Sequence, residues 1–317
     1  MSKKSHRLSG KDNKKFYYQA FGLGIVSEFE LFQLQPASGS IKPELEIVIG
    51  KVAKEGAHAN KQSKDVNLFQ ISQQKVGRFL ITNGNKITVD PEKGADLQTI
   101  KLYLLGSCMG AILQQRGDLV LHGNAIKFQD KAVIVVAPSG VGKSTLAGEF
   151  YRRGYKLLAD DVCAIDPQGY VQPSYPYLKL WQAAVDKLEF DHNELIRIRL
   201  QKEKFYFPLN EAFYQNPLPV TAIYVLNKGH EKDFKLIKLS GLEKLQVLRR
   251  NTYRPSYTRR FKIIHKHVEK FAKMLKTVKV SRIIRPEKGF HLEELAQIII
   301  DDVKSHETPR PLLAEKS

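Results

Sequence analysis

The sequence predicts an α/β fold, with a mixed sheet flanked by helices and a small β-rich region in front of it. From Leu119 onward, apolar runs typical of strands alternate with helical segments, and this alternation is characteristic of α/β sheets. The strand Ala132–Val136 runs directly into a glycine-rich loop and then a helix. Residues 16–93 instead hold short β-rich runs separated by turn residues.

Pattern and composition divide the 317 residues into four segments. Residues 1–15 are a basic tail predicted to be disordered, and residues 16–96 are the β-rich N-terminal region. Residues 97–306 form the main α/β domain. Residues 307–317 are predicted to fray, because they include Pro309 and Pro311.

The clearest signals in the N-terminal region are a strand, a hairpin and a helix. Residues 44–49 alternate between polar and apolar side chains, which predicts a strand. Asn83-Gly84-Asn85 joins two β-rich runs and predicts a tight hairpin turn. Apolar residues then recur at helical spacing from Leu97 to Leu113, and Gly117 is predicted to end that helix.

The elements of the main domain follow from the same patterns. Strands are predicted at 119–128, 132–136, 156–159, 221–226 and 235–240, and helices from about Ser144 and over 242–250, 261–275 and 292–303.

Composition argues for a cytoplasmic protein with no membrane partner. Its hydrophobic content is 42% and its charged content 26%, both ordinary for globular proteins. No apolar run approaches the ~18–20 residues that span a bilayer, and no secretory leader is evident. Cys108 and Cys163 are predicted to be buried thiols in a reducing compartment.

The net charge of +18 indicates an anionic partner. Much of the excess lies between Lys228 and Arg285, where Arg, Lys and Tyr are interspersed. Nucleic-acid surfaces have such a composition, but so do solvated helices around an apolar stripe. We expect no nucleic-acid partner, because no recognisable nucleic-acid-binding module or second helicase-type motif is present.

The segment "VIVVAPSGVGKST" matches a phosphate-binding P-loop between a strand and a helix. Its backbone N–H groups and the helix dipole favour a bound phosphate. Lys143 is predicted to contact the terminal phosphates, and Ser144 to bind the metal. Ala137 replaces the first glycine of the motif. The predicted nucleotide-binding residues are Pro138, Ser139, Gly140, Val141, Gly142, Lys143, Ser144 and Thr145.

The segment "KLLADDVCAID" places Asp160 and Asp161 at the end of a short strand. Bound triphosphate requires charge neutralisation, so one carboxylate is predicted to bind Mg²⁺ and the other to take a proton from an attacking hydroxyl. The residues do not decide which does which, although Asp160 is taken as the metal ligand together with Ser144. His122, in "LVLHGNAI", is a third candidate.

Together, "LHGNAI", "APSGVGKST" and "LLADDVCAID" resemble the catalytic domain of HPr kinase/phosphorylase. This resemblance implies an HPr-kinase-type P-loop core over residues 97–306 that binds ATP and Mg²⁺. It also implies that His122 assists Asp160 and Asp161, and that Lys143 and Ser144 hold the nucleotide. The family forms hexamers, so a homo-oligomer is one alternative.

The resemblance has one gap and one extension. The Gly-Arg-Asn signature of the bifunctional enzymes is missing, since the nearest segment, "LRRNTYRP", lacks the glycine; we therefore expect no phosphorolysis. Segments such as "GRFLITNGNKITVDP" and "YPYLKLWQ" are similar to an HPr-kinase-like branch that includes lasso-peptide precursor kinases. That similarity implies phosphorylation of a precursor peptide's C-terminal serine.

The sequence therefore predicts a serine kinase acting on a peptide or protein. The alternatives are a bifunctional HPr kinase/phosphorylase, a non-catalytic ATP-binding protein and a nucleic-acid-linked ATPase. Lys204, Arg249 and Arg250 are predicted to contact phosphate or substrate, and Trp181 to lie in the core or a pocket wall.

Overall fold

The structure is a computed structural model. It describes residues 14–54, 67–138, 140–199, 202–260, 264–287, 289 and 291–307. Contacts divide the chain into two compact units, Met1–Arg116 and Gly117–Ser317. Most of the predicted tails, 1–15 and 307–317, lies outside the described residues. In the described part of the chain, no helix is both long and apolar enough to cross a membrane.

The first unit contains a seven-stranded sheet. Its strands are β1 (Phe16–Ala20), β2 (Leu23–Ser27), β3 (Gln35–Pro36), β4 (Leu45–Ile49), β5 (Leu68–Gln73), β6 (Gly77–Thr82) and β7 (Lys86–Pro91). They are arranged in the order β3-β1-β2-β4-β7-β6-β5. The pairs β2–β4 and β4–β7 are parallel, and the other four pairs are antiparallel. The predicted strand at 44–49 is confirmed as β4.

The predicted hairpin joins β6 to β7. Asn83 and Gly84 have φ angles of 55° and 63°, the left-handed backbone of a primed turn, and the Asn85 N–H donates to the Thr82 carbonyl at 3.1 Å. Asn and Gly tolerate this conformation better than other residues do. Thr82 and Lys86 consequently face each other across the hairpin, and the sequence prediction is confirmed.

The predicted helix at the end of the first unit is confirmed, with one irregularity. It comprises α1 (Leu97–Tyr103), a π-helical segment (Leu104–Cys108) and α2 (Met109–Arg116). Asp96 caps its start by accepting a 2.9 Å hydrogen bond from the Thr99 N–H, and Gly117 follows its end with φ 99°. The division between units falls after this helix, whereas the sequence placed a domain boundary before it.

The second unit is built on a nine-stranded mixed sheet. Its strands are β8 (Leu119–Leu121), β9 (Gly123–Phe128), β10 (Lys131–Val136), β11 (Leu157–Ala159), β12 (Cys163–Ile165), β13 (Tyr170–Gln172), β17 (Leu218–Gly229), β18 (Lys235–Lys238) and β19 (Lys279–Pro286). The main path is β11-β9-β10-β17-β13-β12-β8, and β19 pairs with both β17 and β18. β17 pairs in parallel with β10 on one side and with β19 on the other.

Among the described residues of this unit are also a three-stranded antiparallel sheet and six α-helices. The small sheet has the order β14-β16-β15, with β14 at Tyr177–Trp181, β15 at Ile196–Arg199 and β16 at Lys202–Pro208. The helices are α3 (Lys143–Arg152), α4 (Gln182–Leu188), α5 (Gly241–Arg250), α6 (Pro255–Arg260), α7 (Ile264–Thr277) and α8 (Leu292–Glu307).

Helices cover both faces of the large sheet, which confirms the predicted α/β class. Val133 and Val135 of β10 pack with Phe150 of α3 and with apolar residues of α4 and α8. Ile134 and Val136, on the opposite face, pack with apolar residues of α5 and α7. Strands buried on both faces read as continuous apolar runs, which explains "AVIVV". Cys108 and Cys163 are both buried and unbridged, as predicted.

Candidate active site

Three strand ends meet at one edge of the nine-stranded sheet. β9 lies between β10 and β11 and is antiparallel to both. The last residues of β10 and β11 and the first residue of β9 therefore lie at the same edge. This arrangement brings together the loop after Val136, the acidic pair after Ala159 and His122, which immediately precedes β9.

The glycine-rich loop has the backbone of an anion cradle. Gly140 and Gly142 have φ angles of 82° and 108°, which glycine adopts without strain. Gly142 is the N-cap of α3, and its carbonyl accepts a 2.9 Å bond from the Leu146 N–H. Ala137 packs in the core and is not among the described residues with positive φ, so its β-carbon is accommodated. Ser139, also predicted to bind nucleotide, lies outside the described residues.

Asp160 is held in place by three neighbours. Its carboxylate is 1% exposed and lies 3.9 Å from the Lys143 Nζ. Asn124 donates a side-chain hydrogen bond to Oδ1, and the Lys179 N–H donates to Oδ2 at 2.7 Å. A buried carboxylate needs such partners. They hold Asp160 in a fixed position next to the P-loop lysine, Lys143.

Asp161 is more open and has a different set of partners. The Lys179 Nζ lies 2.9 Å from Oδ2 and the His122 Nδ1 lies 3.1 Å from Oδ1. Burial raises the pKa of this carboxyl, but Lys179, His122 and Lys143 outweigh burial, so the pKa lies well below its usual range. Asp161 is therefore ionised at neutral pH. It also has φ 72°, a conformation that costs energy in a non-glycine residue.

Lys179 is a site residue that the sequence analysis missed. It lies in the middle of β14 and is 2% exposed. Burial lowers the pKa of its ammonium, but the attraction of Asp161 prevails and raises the pKa well above its usual value. A lysine inside the apolar run "YLKLW" is the signal that could have identified it, because lysine is rarely buried without an anionic partner.

Of the three basic residues predicted to contact phosphate or substrate, two line cavities. Lys204 pairs with Trp181 across β16 and β14, its Nζ lies 5.4 Å from the centre of the indole ring, and Trp181 forms a pocket wall. Burial, Lys179 and Lys143 lower the pKa of Lys204 despite the nearby carboxylates. Arg250 lines the larger cleft described below, whereas Arg249 lines neither described cavity.

Two cavities adjoin the acidic pair. The smaller, about 320 Å³, is lined by Gly140 through Thr145, Lys179, Lys204 and other residues; we call it the P-loop cavity. The larger, about 1250 Å³, lies against β17, β19 and the end of α5; we call it the second cleft. Pro138, His122 and Asp161 line both cavities. Asp161 therefore belongs to the wall that the two cavities share.

Arg285 forms a hydrogen bond to the P-loop. Its Nε donates a 3.2 Å hydrogen bond to the Val141 carbonyl, and its side chain lines the P-loop cavity. Burial lowers the pKa of its guanidinium. This cation at the end of β19 was not predicted, because only the parallel pairing of β19 with β17 carries it to this edge.

The oxygen-bearing side chains near the P-loop suit a metal ion that is bound partly by the protein and partly by substrate phosphates. Among the described residues, no group of three His, Cys, Asp or Glu side chains is arranged to hold a metal ion alone. Ser144 lines the P-loop cavity, and the Asp160 carboxylate lies 3.9 Å from the Nζ of Lys143, which lines the same cavity. Mg²⁺ characteristically binds one or two protein oxygens together with substrate phosphates, so these residues fit that ion.

Comparisons with known proteins give distant similarities. No family model matches the chain. An HPr kinase/phosphorylase from Chlorobium phaeovibrioides is 25% identical and one from Chloroherpeton thalassium is 24% identical, each over 121 residues. Each alignment covers 35% of this chain and 36% of the relative, so the chain spans about a third of the length of these relatives.

A solved structure was also compared, that of the Hpr(Ser) kinase/phosphatase from Coxiella burnetii. It is 13% identical, with a TM-score of 0.30, and the match covers 59% of this chain and 89% of that one. The sequence matches alone therefore support the resemblance that the motifs suggest, at the level of similarity to HPr kinase/phosphorylases.

Proposed function

We propose that this protein is an ATP-dependent kinase that transfers the γ-phosphoryl group of ATP to a serine hydroxyl of a peptide or protein. The observation that carries the proposal is the position of Asp161. Asp161 lines both the P-loop cavity and the second cleft, and its lowered pKa keeps its carboxylate ionised. A nucleotide in one cavity and an acceptor in the other would meet at this side chain.

The P-loop cavity would hold the nucleotide. Backbone N–H groups from Gly140 to Ser144 and the start of α3 favour the phosphates, and Lys143 contributes a charge beside them. Bound Mg²⁺ would be held by Ser144 and Asp160 and would neutralise negative charge on the phosphates. Because the transition state of phosphoryl transfer is loose, most of the acceleration comes from positioning and electrostatic stabilisation.

The acceptor serine would approach from the second cleft. Its Oγ forms a bond to the γ-phosphorus while the bond from that phosphorus to the β,γ-bridging oxygen breaks, and ADP leaves with the electron pair. The serine proton passes to Asp161, which His122 and Lys179 hold in position. The sequence did not decide between the two carboxylates. Asp161 suits the role of base because it lines the second cleft, whereas Asp160 does not.

The finer proposal concerns the acceptor. The resemblance to the lasso-peptide branch favours the C-terminal serine of a precursor peptide over HPr itself. We propose a cytoplasmic enzyme without phosphorolysis, because "LRRNTYRP" lacks the glycine of the bifunctional signature. Residues 97–306 remain our proposed extent of the catalytic region.

The test is to incubate the protein with ATP and Mg²⁺ and to offer serine-terminated peptides and purified HPr side by side. Phosphopeptide mass spectrometry should detect phosphoserine on a peptide, and the Asp161→Asn variant should produce none. The matched control is Asp130→Asn, in the exposed turn between β9 and β10 at the other end of those strands. Phosphorylation of HPr alone would refute the peptide proposal, and hydrolysis of ATP without transfer to either acceptor would refute the kinase.

A further inference from the structure

The second cleft carries an excess of positive charge that the proposed chemistry does not use. Lys228 of β17, Arg250 of α5, Arg254 before α6 and Arg282 of β19 all line it. Four different elements therefore direct cations into one concavity. Gathering like charges in this way is unfavourable in the free protein, so an anionic ligand would relieve the repulsion.

The protein supplies few anions to compensate these four cations. Among the residues whose side chains the structure describes, no carboxylate is within ion-pair distance of Lys228, Arg250 or Arg282. The cleft has two carboxylates in its lining, Asp161 and Glu231. Asp161 is paired with Lys179 and His122, and Glu231 is paired with Lys235 at 3.1 Å.

The backbone of Arg254 has a conformation that is unusual for a non-glycine residue. Its φ is 50°, a left-handed value that is costly for arginine and clusters at functional sites. The guanidinium lies 5.8 Å from the centre of the Tyr253 ring. Tyr253 is in turn anchored to the site, because its N–H donates to the Val120 carbonyl at 2.7 Å and its ring lies 5.9 Å from that of His122.

The size and lining of the cleft favour a peptide. Its volume of about 1250 Å³ exceeds the ~300–1,000 Å³ of typical small-molecule pockets. Apolar residues, among them Val225, Val247 and Ile284, line it together with the cations. A chain with both acidic and apolar side chains matches such a lining better than a uniformly charged polymer does.

We infer that the second cleft binds an acidic peptide segment, whose carboxylates are recognised by Lys228, Arg250, Arg254 and Arg282 while its serine reaches Asp161. This inference rests on the proposed function and deepens it, since it names the class of acceptor. Arginine is well suited to the task, because its planar guanidinium binds a carboxylate through two parallel hydrogen bonds.

The experiment compares two peptides that end in the same serine and differ only in the residues before it, glutamate in one and glutamine in the other. The KM for the glutamate peptide should be at least about tenfold lower, and the double variant R250E/R282E should abolish that difference. The control is Lys276→Glu, an exposed position on α7 outside both cavities, which should preserve the difference. The preference should also weaken at high salt.

A binding measurement separates this inference from the proposed kinase activity. Fluorescence anisotropy of the same two labelled peptides reports affinity whether or not transfer occurs. Tight binding of the glutamate peptide without phosphoryl transfer would support the acidic-peptide cleft and refute the kinase. Transfer to both peptides with equal KM would support the kinase and overturn the inference. A single-stranded oligonucleotide that outcompetes the glutamate peptide would overturn it in favour of nucleic acid.

Discussion

The Lys179 ammonium lies 2.9 Å from Oδ2 of Asp161, and the same residue's backbone N–H donates to Oδ2 of Asp160 at 2.7 Å. One strand residue therefore holds both members of the acidic pair, with its side chain on one and its main chain on the other. The side-chain bond fixes the ionisation of Asp161, and the backbone bond fixes the orientation of Asp160. Each half of this arrangement can be tested separately.

Replacing Lys179 by methionine should change the pH dependence of the reaction. In the wild type the folded-state pKa of Asp161 lies well below its usual range, so the carboxylate stays ionised as the pH falls to that depressed pKa. Without the ammonium, the pKa should rise towards the ordinary value of ~3.9. The acid limb of kcat/KM should then move to higher pH in Lys179→Met. An unchanged acid limb would mean that this ion pair does not control Asp161.

The same variant should lose stability at neutral pH and less at low pH. A depressed pKa stabilises the fold above the unfolded pKa, and that contribution is lost as the pH falls through the folded pKa. Removing Lys179 also takes away the ammonium that lies 2.9 Å from the Asp161 carboxylate and should cost about 3 kcal/mol. Urea unfolding at neutral pH and near pH 3 measures both values. An equal loss at both pH values would contradict the ion-pair explanation.

Substitution of Asn124 should destabilise the second unit. Asn124 is fully buried and donates to Asp160, and removing one partner of a buried polar pair costs ~1–3 kcal/mol. We expect Asn124→Leu to lower the free energy of unfolding by that amount. Asn193→Leu, at an exposed position before β15, should have little effect. Equal effects of the two variants would show that the hydrogen bond to Asp160 contributes little.

Lys143→Met should abolish measurable binding of the magnesium nucleotide. Lys143 is 7% exposed, points towards Asp160 and lines the P-loop cavity, so its loss removes the principal cation beside the phosphates. Isothermal calorimetry with a non-hydrolysable ATP analogue provides the measurement. Lys131→Met, at the other end of β10, is the matched control and should bind normally. Undiminished binding in Lys143→Met would place the nucleotide elsewhere.

His122 should contribute to turnover more than to nucleotide binding. Its Nδ1 contacts the Asp161 carboxylate while its ring packs near Tyr253. His122→Phe keeps an aromatic ring but loses the nitrogen, so we expect kcat to fall about tenfold or more with little change in the KM for ATP. Steady-state kinetics on an acceptor peptide measures both. A loss confined to the KM for ATP would show that His122 acts on the nucleotide.

The sequence predicts those parts of the site that are formed by residues close together in the chain. The P-loop needs a strand, two glycines and a lysine within a few residues, and the acidic pair needs only a strand end. Both signals are contiguous, so they can be read without knowing how strands pair. The mixed α/β class follows from similarly local periodicity, as the two buried faces of β10 illustrate.

The parts that the sequence does not predict depend on pairing between distant segments. Alternation in "YLKLW" places Leu178 and Leu180 on one face of the strand and Lys179 on the other. In the structure Lys179 is buried and its ammonium pairs with Asp161, which comes from a distant segment of the chain. Arg249 and Arg250 are equivalent in sequence, yet only Arg250 lines the second cleft. Such distinctions arise from the register of the sheet and the direction of α5.

In the proposed reaction Asp161 accepts the serine proton between bound ATP and the acceptor. Single-turnover transfer from γ-labelled ATP to an acceptor peptide tests this role most directly. Wild-type protein should form phosphoserine, whereas Asp161→Asn should bind the nucleotide normally and transfer at least about a hundredfold more slowly. Transfer at the wild-type rate by Asp161→Asn, with the nucleotide bound, would contradict the account.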